Sequence, residues 1–251
     1  MELLAGGLLF GFSIFVGFLI GCIGIGGVLL VPFLTFGMGF GVHASIAAAM
    51  FGFIFVGMVG AVLYARHGSI EWSQALWMIA GAMPAAYFGS FLASVIPEHG
   101  LQLIIATLVL LAGLNALRRD STDVADRQIS SRWVLLAVGA FTGAGSALTG
   151  TGGPLMALPV LVSMKVAAHS AIGFAQAMQT PLATLATIGN FLYGSVPVAV
   201  GATISAGLVI GGFVGAKLAH TIEPRIMRRL IAWVLVAVGL FLVGKLLARL
   251  I

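Results

Sequence analysis

Two stretches carry the residue types most suited to chemistry: Gly24-Ile25-Gly26-Gly27 and Gly150-Thr151-Gly152-Gly153, each inside a long apolar run. A glycine-rich break frees backbone N–H groups, and the start of a following helix adds partial positive charge, so such a turn can hold a small anion. Hydrocarbon cannot satisfy freed backbone groups, so a break of this kind persists only where protein or a wet cavity covers it. Paired breaks in two halves of a chain point to a transporter's binding site. The competing reading is that these glycines only let helices pack closely, which suffices for the scattered Gly57, Gly60 and Gly211. As a dinucleotide fingerprint the spacing is weak, because no βαβ pattern or ribose-binding acid accompanies it.

Polar side chains cluster near the second break. Gln176, Gln179 and Thr180 lie at i, i+3 and i+4, hence on one helical face. The matching first-half residues are Met50, Phe53 and Ile54, and Thr149 and Thr151 stand where Ile23 and Ile25 stand. These residues either contact a ligand, with Asn190 more distant, or bond neighbouring helices. His43 and His169 occupy equivalent positions, suited to binding an anion or changing protonation, or to a helix-entry hydrogen bond. His67, His99 and His220 fall in loops, and Lys165 and Lys217 read as snorkelling residues. Arg225, Arg228 and Arg229 orient their helix or draw anions to a mouth.

Other chemistries find little support. There is no His-Glu-x-x-His pattern and no Gly-x-Ser-x-Gly elbow, so neither an enzyme nor a bound metal or cofactor is expected. The methionines are scattered as gap-fillers rather than along a copper path. All seven acids (Glu2, Glu71, Glu98, Asp120, Asp123, Asp126 and Glu223) fall outside the expected helix centres. Cation carriers and proton pumps place carboxylates inside the bundle. What remains is a set of neutral donors, which suits a small anion that must be released again. Cys22 is the lone cysteine, so an intrachain disulfide is impossible.

The elements that must position these residues are membrane helices. Of 251 residues 61% are hydrophobic and 8% charged, with a mean hydropathy of +1.17, too few charges to cover a water-exposed globule. No period-two alternation suggests a barrel. The net charge of +5 is scattered, without the basic stripe that nucleic acid requires. No positive n-region precedes Arg66, so no cleaved leader is expected. In order, Leu3 to Phe36 reads as a helix that descends to the glycines, turns, and returns as a half-helix. Crossings follow at Ala44 to Ala65, Trp72 to Val95 with a kink at Pro84, and Leu101 to Leu117 after a turn at Pro97-Glu98-His99-Gly100. Residues 118–132 form a polar linker, and 133–251 repeat 1–117. At a constant offset of 126, Gly17 matches Gly143, Gly24, Gly26 and Gly27 match Gly150, Gly152 and Gly153, and Gly68-Ser69 matches Gly194-Ser195. Such a fixed offset marks a duplication.

Positive-inside counting separates two topologies. With four crossings per half, the twelve Lys and Arg divide seven to five. With each glycine cluster at the tip of a re-entrant hairpin and three crossings per half, ten share one side against Lys245 and Arg249. The expected fold is therefore an all-α polytopic membrane protein of two inverted repeats, each a Gly-broken re-entrant hairpin plus three transmembrane helices.

With these residues in view, the sequence resembles the sulfite exporter TauE/SafE family of bacterial permeases. The resemblance rests on Gly24-Ile25-Gly26-Gly27 followed by Val31-Pro32, and Gly150-Thr151-Gly152-Gly153 followed by Leu158-Pro159. Val28 and Pro154 stand where the family pattern often has a third glycine. The resemblance implies export of small sulfur-containing anions such as sulfite, sulfoacetate or thiosulfate across the bacterial inner membrane, and alternating access between the hairpin tips would perform it. An anion channel of the same architecture and a non-transporting membrane scaffold are the alternatives. The expected partners are the small anion and the lipid bilayer; the sequence sets no oligomeric state.

Overall fold

The computed structural model describes residues 2–118, 131–164 and 166–219, with isolated positions between 233 and 244. Among them all regular secondary structure is helical. Helix α1 spans Glu2–Ile23, and α2 is the short apolar helix Gly27–Gly37. It opens as a 3₁₀ turn, Gly27–Leu29, and closes as a π-helical stretch, Phe33–Gly37. Then come α3 (Val42–Arg66), α4 (Trp72–Val95) and α5 (Glu98–Arg118). The second half gives α6 (Arg132–Thr149), α7 (Gly153–Ser163), α8 (Ala168–Tyr193) and α9 (Val198–Leu218). Four of them, α1 from Leu4, α3, α4 and α9, are long and apolar enough to cross a membrane. The 118–132 linker and the last expected crossing lie largely outside the described residues. Two boundaries differ from expectation: α3 begins at Val42, and α5 begins at Glu98 rather than Leu101. Pro97 suits the residue before a first turn, and an acid there is favourable against the helix dipole.

The helices pack through backbone contacts that only glycine permits. A Cβ on Gly17 would collide with the Leu208 carbonyl, and one on Gly143 with the Ala82 carbonyl, the same pair shifted by 126 in each half. Likewise Gly89 meets the Ala144 carbonyl and Gly215 the Phe18 carbonyl. Thus α1 lies along α9 as α6 lies along α4. In lipid there is no hydrophobic drive between helices, so this close approach supplies the dispersion contacts that hold them. Large apolar side chains such as Leu8, Phe88, Phe141 and Leu192 are left on the outer surface, where hydrocarbon is the matching solvent.

Contact registers fix directions. Along α1 and α9, Gly17 meets Leu208 and Gly21 meets Gly212 and Ala216, so the two run parallel. Gly201 against Phe51 and Gly212 against Val56 make α3 parallel to α9. Helices α3 and α8 run antiparallel, because Thr180 bonds the Ile54 carbonyl, Gly60 meets Gln176, and Gly173 meets Ser69. The Thr180–Ile54 bond, 3.0 Å long, joins two residues 126 apart. Equivalent residues in mutual contact would lie on any axis exchanging the halves, which would then pass through the α3/α8 crossing.

Each glycine break turns the chain back. The end of α1 lies toward the end of α3, where the Tyr64 hydroxyl donates to the Gly21 carbonyl at 3.1 Å. Gly27 has returned to the ring of Phe53 in the middle of α3, and the Thr35 hydroxyl bonds Ser45 near the α3 start. The hairpin is unequal, α1 being long and α2 short, and Gly21 lies level with Gly212 and hence with Val56 near the middle of α3. Small residues along α9 keep α1 straight and packed to its end.

Candidate anion site at the hairpin tips

The two breaks meet at the centre. A Cβ on Gly27 would lie 2.6 Å from the Thr151 carbonyl oxygen and 2.7 Å from the Phe53 ring. Gly150 faces Val31 and Ile46, and Gly24 faces Pro154 and Leu158 of α7. Neither tip is helical: Gly24, Gly150 and Gly152 have φ of 75°, 65° and 83°, the left-handed region that disfavours any side chain. Gly26, by contrast, packs against its own half, on Val16 and Leu19 of α1. Ile25 is half-buried, while Gly24, Gly26, Gly27, Thr149, Gly150, Thr151, Gly152 and Gly153 are buried. Gly153 opens α7 beside Leu182 and Thr142.

Donor inventory decides what the site can hold. Gly24 and Gly150 close turns back onto the Ile20 and Ser146 carbonyls, whereas the N–H groups of Ile25, Gly26, Thr151 and Gly152 make no backbone–backbone hydrogen bond. The Thr149 hydroxyl donates to the Gly145 carbonyl at 2.7 Å, and Thr149 and Thr151 hydroxyls lie 2.9 Å apart. With the Thr149 proton committed, Thr151 must be the donor of that second bond. Both hydroxyl protons are therefore used internally, and Thr151 is left with lone pairs.

The polar face of α8 splits into two roles. Gln176 donates to the Ile20 carbonyl at 2.8 Å, and Thr180 to that of Ile54 at 3.0 Å, so both tie α8 to the first half. Gln179 is different: it is fully buried, and neither its Nε2 nor its Oε1 has a hydrogen-bond partner in the protein. Its Nε2 lies 3.8 Å from where a Cβ on Gly152 would sit. A buried orphan polar group costs about 1–3 kcal/mol, so the amide is held at a cost to folding. The Thr142 and Ser146 hydroxyls are also buried without partners. They lie on the α6 face that leads to Thr149, at i, i+4 and i+7, and the first-half counterparts are Val16, Ile20 and Ile23. Sequence reasoning passed over these two, although that exchange across the repeat was the signal for them.

The two histidines are not at the tips. His43 stands near the start of α3, its Nε2 3.1 Å from the Ala93 carbonyl and its Nδ1 3.6 Å from a Glu98 carboxylate oxygen. Since a carbonyl only accepts, Nε2 carries the proton. His169 is exposed near the start of α8. Each precedes mid-helix by about two to three turns, which removes both from the centre. No metal-binding group of His, Cys, Asp and Glu occurs among the described residues.

A model of the family described as "Sulfite exporter TauE/SafE" matches residues 9–242. The chain belongs to the sulfite exporter TauE/SafE family. It is also similar to a protein of Methanocaldococcus jannaschii named a probable membrane transporter, 24% identical, with 91% of this chain and 93% of that one aligned. A second relative of the same description, from Xylella fastidiosa, is 24% identical over 92% of each chain. No solved structure matches. Family, relatives and apolar helices together make this a multi-pass membrane transporter.

Proposed function

We propose that the protein is a secondary transporter, an exporter, of small sulfur-containing anions such as sulfite, sulfoacetate or thiosulfate, working by alternating access across the bacterial inner membrane. The repeats are residues 1–117 and 133–251, inverted in the bilayer, and the anion binds between the hairpin tips. One observation carries this reading: the unpartnered amide of Gln179 lies close to Gly152, on two touching tips whose Ile25, Gly26, Thr151 and Gly152 N–H groups make no backbone–backbone hydrogen bond. All are neutral donors, suited to an anion that must leave again, and the acids among the described residues, Glu2, Glu71 and Glu98, lie at helix starts away from the tips. Antiparallel α3 and α8 support inversion, since an axis that reverses helix direction lies in the membrane plane.

Orientation follows from charge. Among the described residues Arg66 ends α3, Arg118 ends α5, Arg132 begins α6 and Lys217 lies in the last turn of α9. The Arg132 guanidinium lies 5.3 Å over the ring of Trp77, near the α4 start, so these basic residues share one end. That end is cytoplasmic by the positive-inside bias. The test is flux of radiolabelled sulfite and thiosulfate in proteoliposomes. Gln179→Leu should lower saturable uptake about 10- to 100-fold, the worth of one hydrogen bond to a charged group, with unchanged protein yield. Unchanged flux in that variant would defeat the reading, and non-saturating flux in the parent would favour a channel.

A further inference from the structure

A cleft of about 240 Å³ opens at the end of the bundle opposite Arg66, Arg118, Arg132 and Lys217, between the start of α3 and the ends of α4 and α8. Ile46 and Ala47 form its floor, His43 and Ser90 its walls, and Asn190 and Tyr193 line it from α8. Asn190 is 9% exposed and its Nδ2 has no hydrogen-bond partner. Beside it the Tyr193 and Tyr87 hydroxyls lie 2.6 Å apart. One of the pair donates to the other, which leaves one phenolic proton to give away. Among the described residues no carboxylate lines the cleft; the Glu98 carboxylate contacts His43 through Nδ1, while the Nε2 proton is committed to the Ala93 carbonyl.

The duplicated fold does not by itself require such a cleft. Shifted by 126, its residues Ile46, Ala47, Asn190 and Ser195 become Ile172, Gly173, Tyr64 and Ser69 at the basic end. There the matching described residues are packed together. Tyr64 is 1% exposed and bonds the Gly21 carbonyl, Gly173 lies against the Ser69 carbonyl, and Ile172 lies against Gly24. At the open end Ile46 lines the cleft and also lies against the tip, its Cα 3.0 Å from where a Cβ on Gly150 would sit.

We propose that this cleft is a second binding station for a small oxyanion, held by the Asn190 amide and a tyrosine hydroxyl, one side chain away from the tip site. This rests on the anion-transport reading above for its ligand class. The volume is below the roughly 300–1,000 Å³ of pockets for drug-sized ligands, so it admits a small oxyanion with part of its water and excludes bulky organic anions. Its place at the end away from Arg66, Arg118, Arg132 and Lys217 makes it the outer station.

Equilibrium dialysis of the full chain in detergent, with radiolabelled sulfite and thiosulfate as probes, tests the station. The wild type should bind two equivalents at saturation. Asn190→Asp, nearly the same shape but charged, should bind one, and Gln179→Leu should also bind one, lost on adding Asn190→Asp. Asn190→Ser is the second variant, expected to weaken one site about 10-fold or more while thermal unfolding without anion stays as in the wild type. Wild-type stoichiometry in both Asn190 variants, or no binding of either probe to the wild type, would overturn the station. If Gln179→Leu keeps both equivalents while Asn190→Asp loses one, the tip reading fails and the station stands.

Discussion

The two halves share one architecture and divide the chemistry unequally. Gly17 and Gly143, and Gly89 and Gly215, serve the same contacts in both, and Gly24 and Gly150 close the same left-handed turn. Around the tips, however, Val16, Ile20, Ile23, Ile25, Met50, Phe53 and Ile54 of the first half correspond to Thr142, Ser146, Thr149, Thr151, Gln176, Gln179 and Thr180 of the second. What both halves keep is backbone shape. What only the second carries is a set of polar atoms, several of them unpartnered. A ligand near the exchange axis would need only one half to recognise it, while both must turn the chain toward it.

The sharpest way to break this comparison is through the shared part. Gly143→Leu and Gly17→Leu would each drive a side chain into a facing carbonyl, at Ala82 and Leu208 respectively. Overpacking costs about 1–3 kcal/mol or more, so both should cut folded yield severely and to similar extents, read by fluorescence-detected size exclusion. Gly11→Leu, with open space around it, should behave as the parent. A large difference between the two interior variants would mean the interfaces are not equivalent.

A smaller effect sharpens the unequal part. Phe53 and Gln179 are equivalent residues, and both approach Gly152. Gln179→Phe alone should lose transport, and adding Phe53→Gln should restore about 10-fold of it by returning one amide from the other side of the axis. If the double exchange stays as inactive as the single one, the ligand does not lie near the axis, and the second half's geometry matters beyond its donors.

Much of this was legible in the sequence because glycine in lipid has few uses. The breaks, the offset of 126 and the span Trp72–Val95 emerge from composition and spacing alone. The roles of Gln176, Gln179 and Thr180 do not, since one face of a helix meets several neighbours. Only the register with Ile20 and Ile54 shows that two are tied to carbonyls and one is not. Thr142 and Ser146 looked like ordinary small residues of a packed helix. The outer cleft was out of reach because α3, α4 and α8 build it jointly, with Tyr87 and Tyr193 meeting across 106 positions.

The central claim is that both hairpin tips and Gln179 enclose one anion. An electron-density map of the protein soaked with selenite, a heavy analogue of sulfite, tests it most directly through the anomalous signal of selenium. The account predicts a selenium peak between Gly27 and Gly152, with its oxygens within hydrogen-bond distance of Gln179 Nε2 and the tip N–H groups. A peak elsewhere in the bundle, with the tips unliganded at saturating selenite, would contradict it.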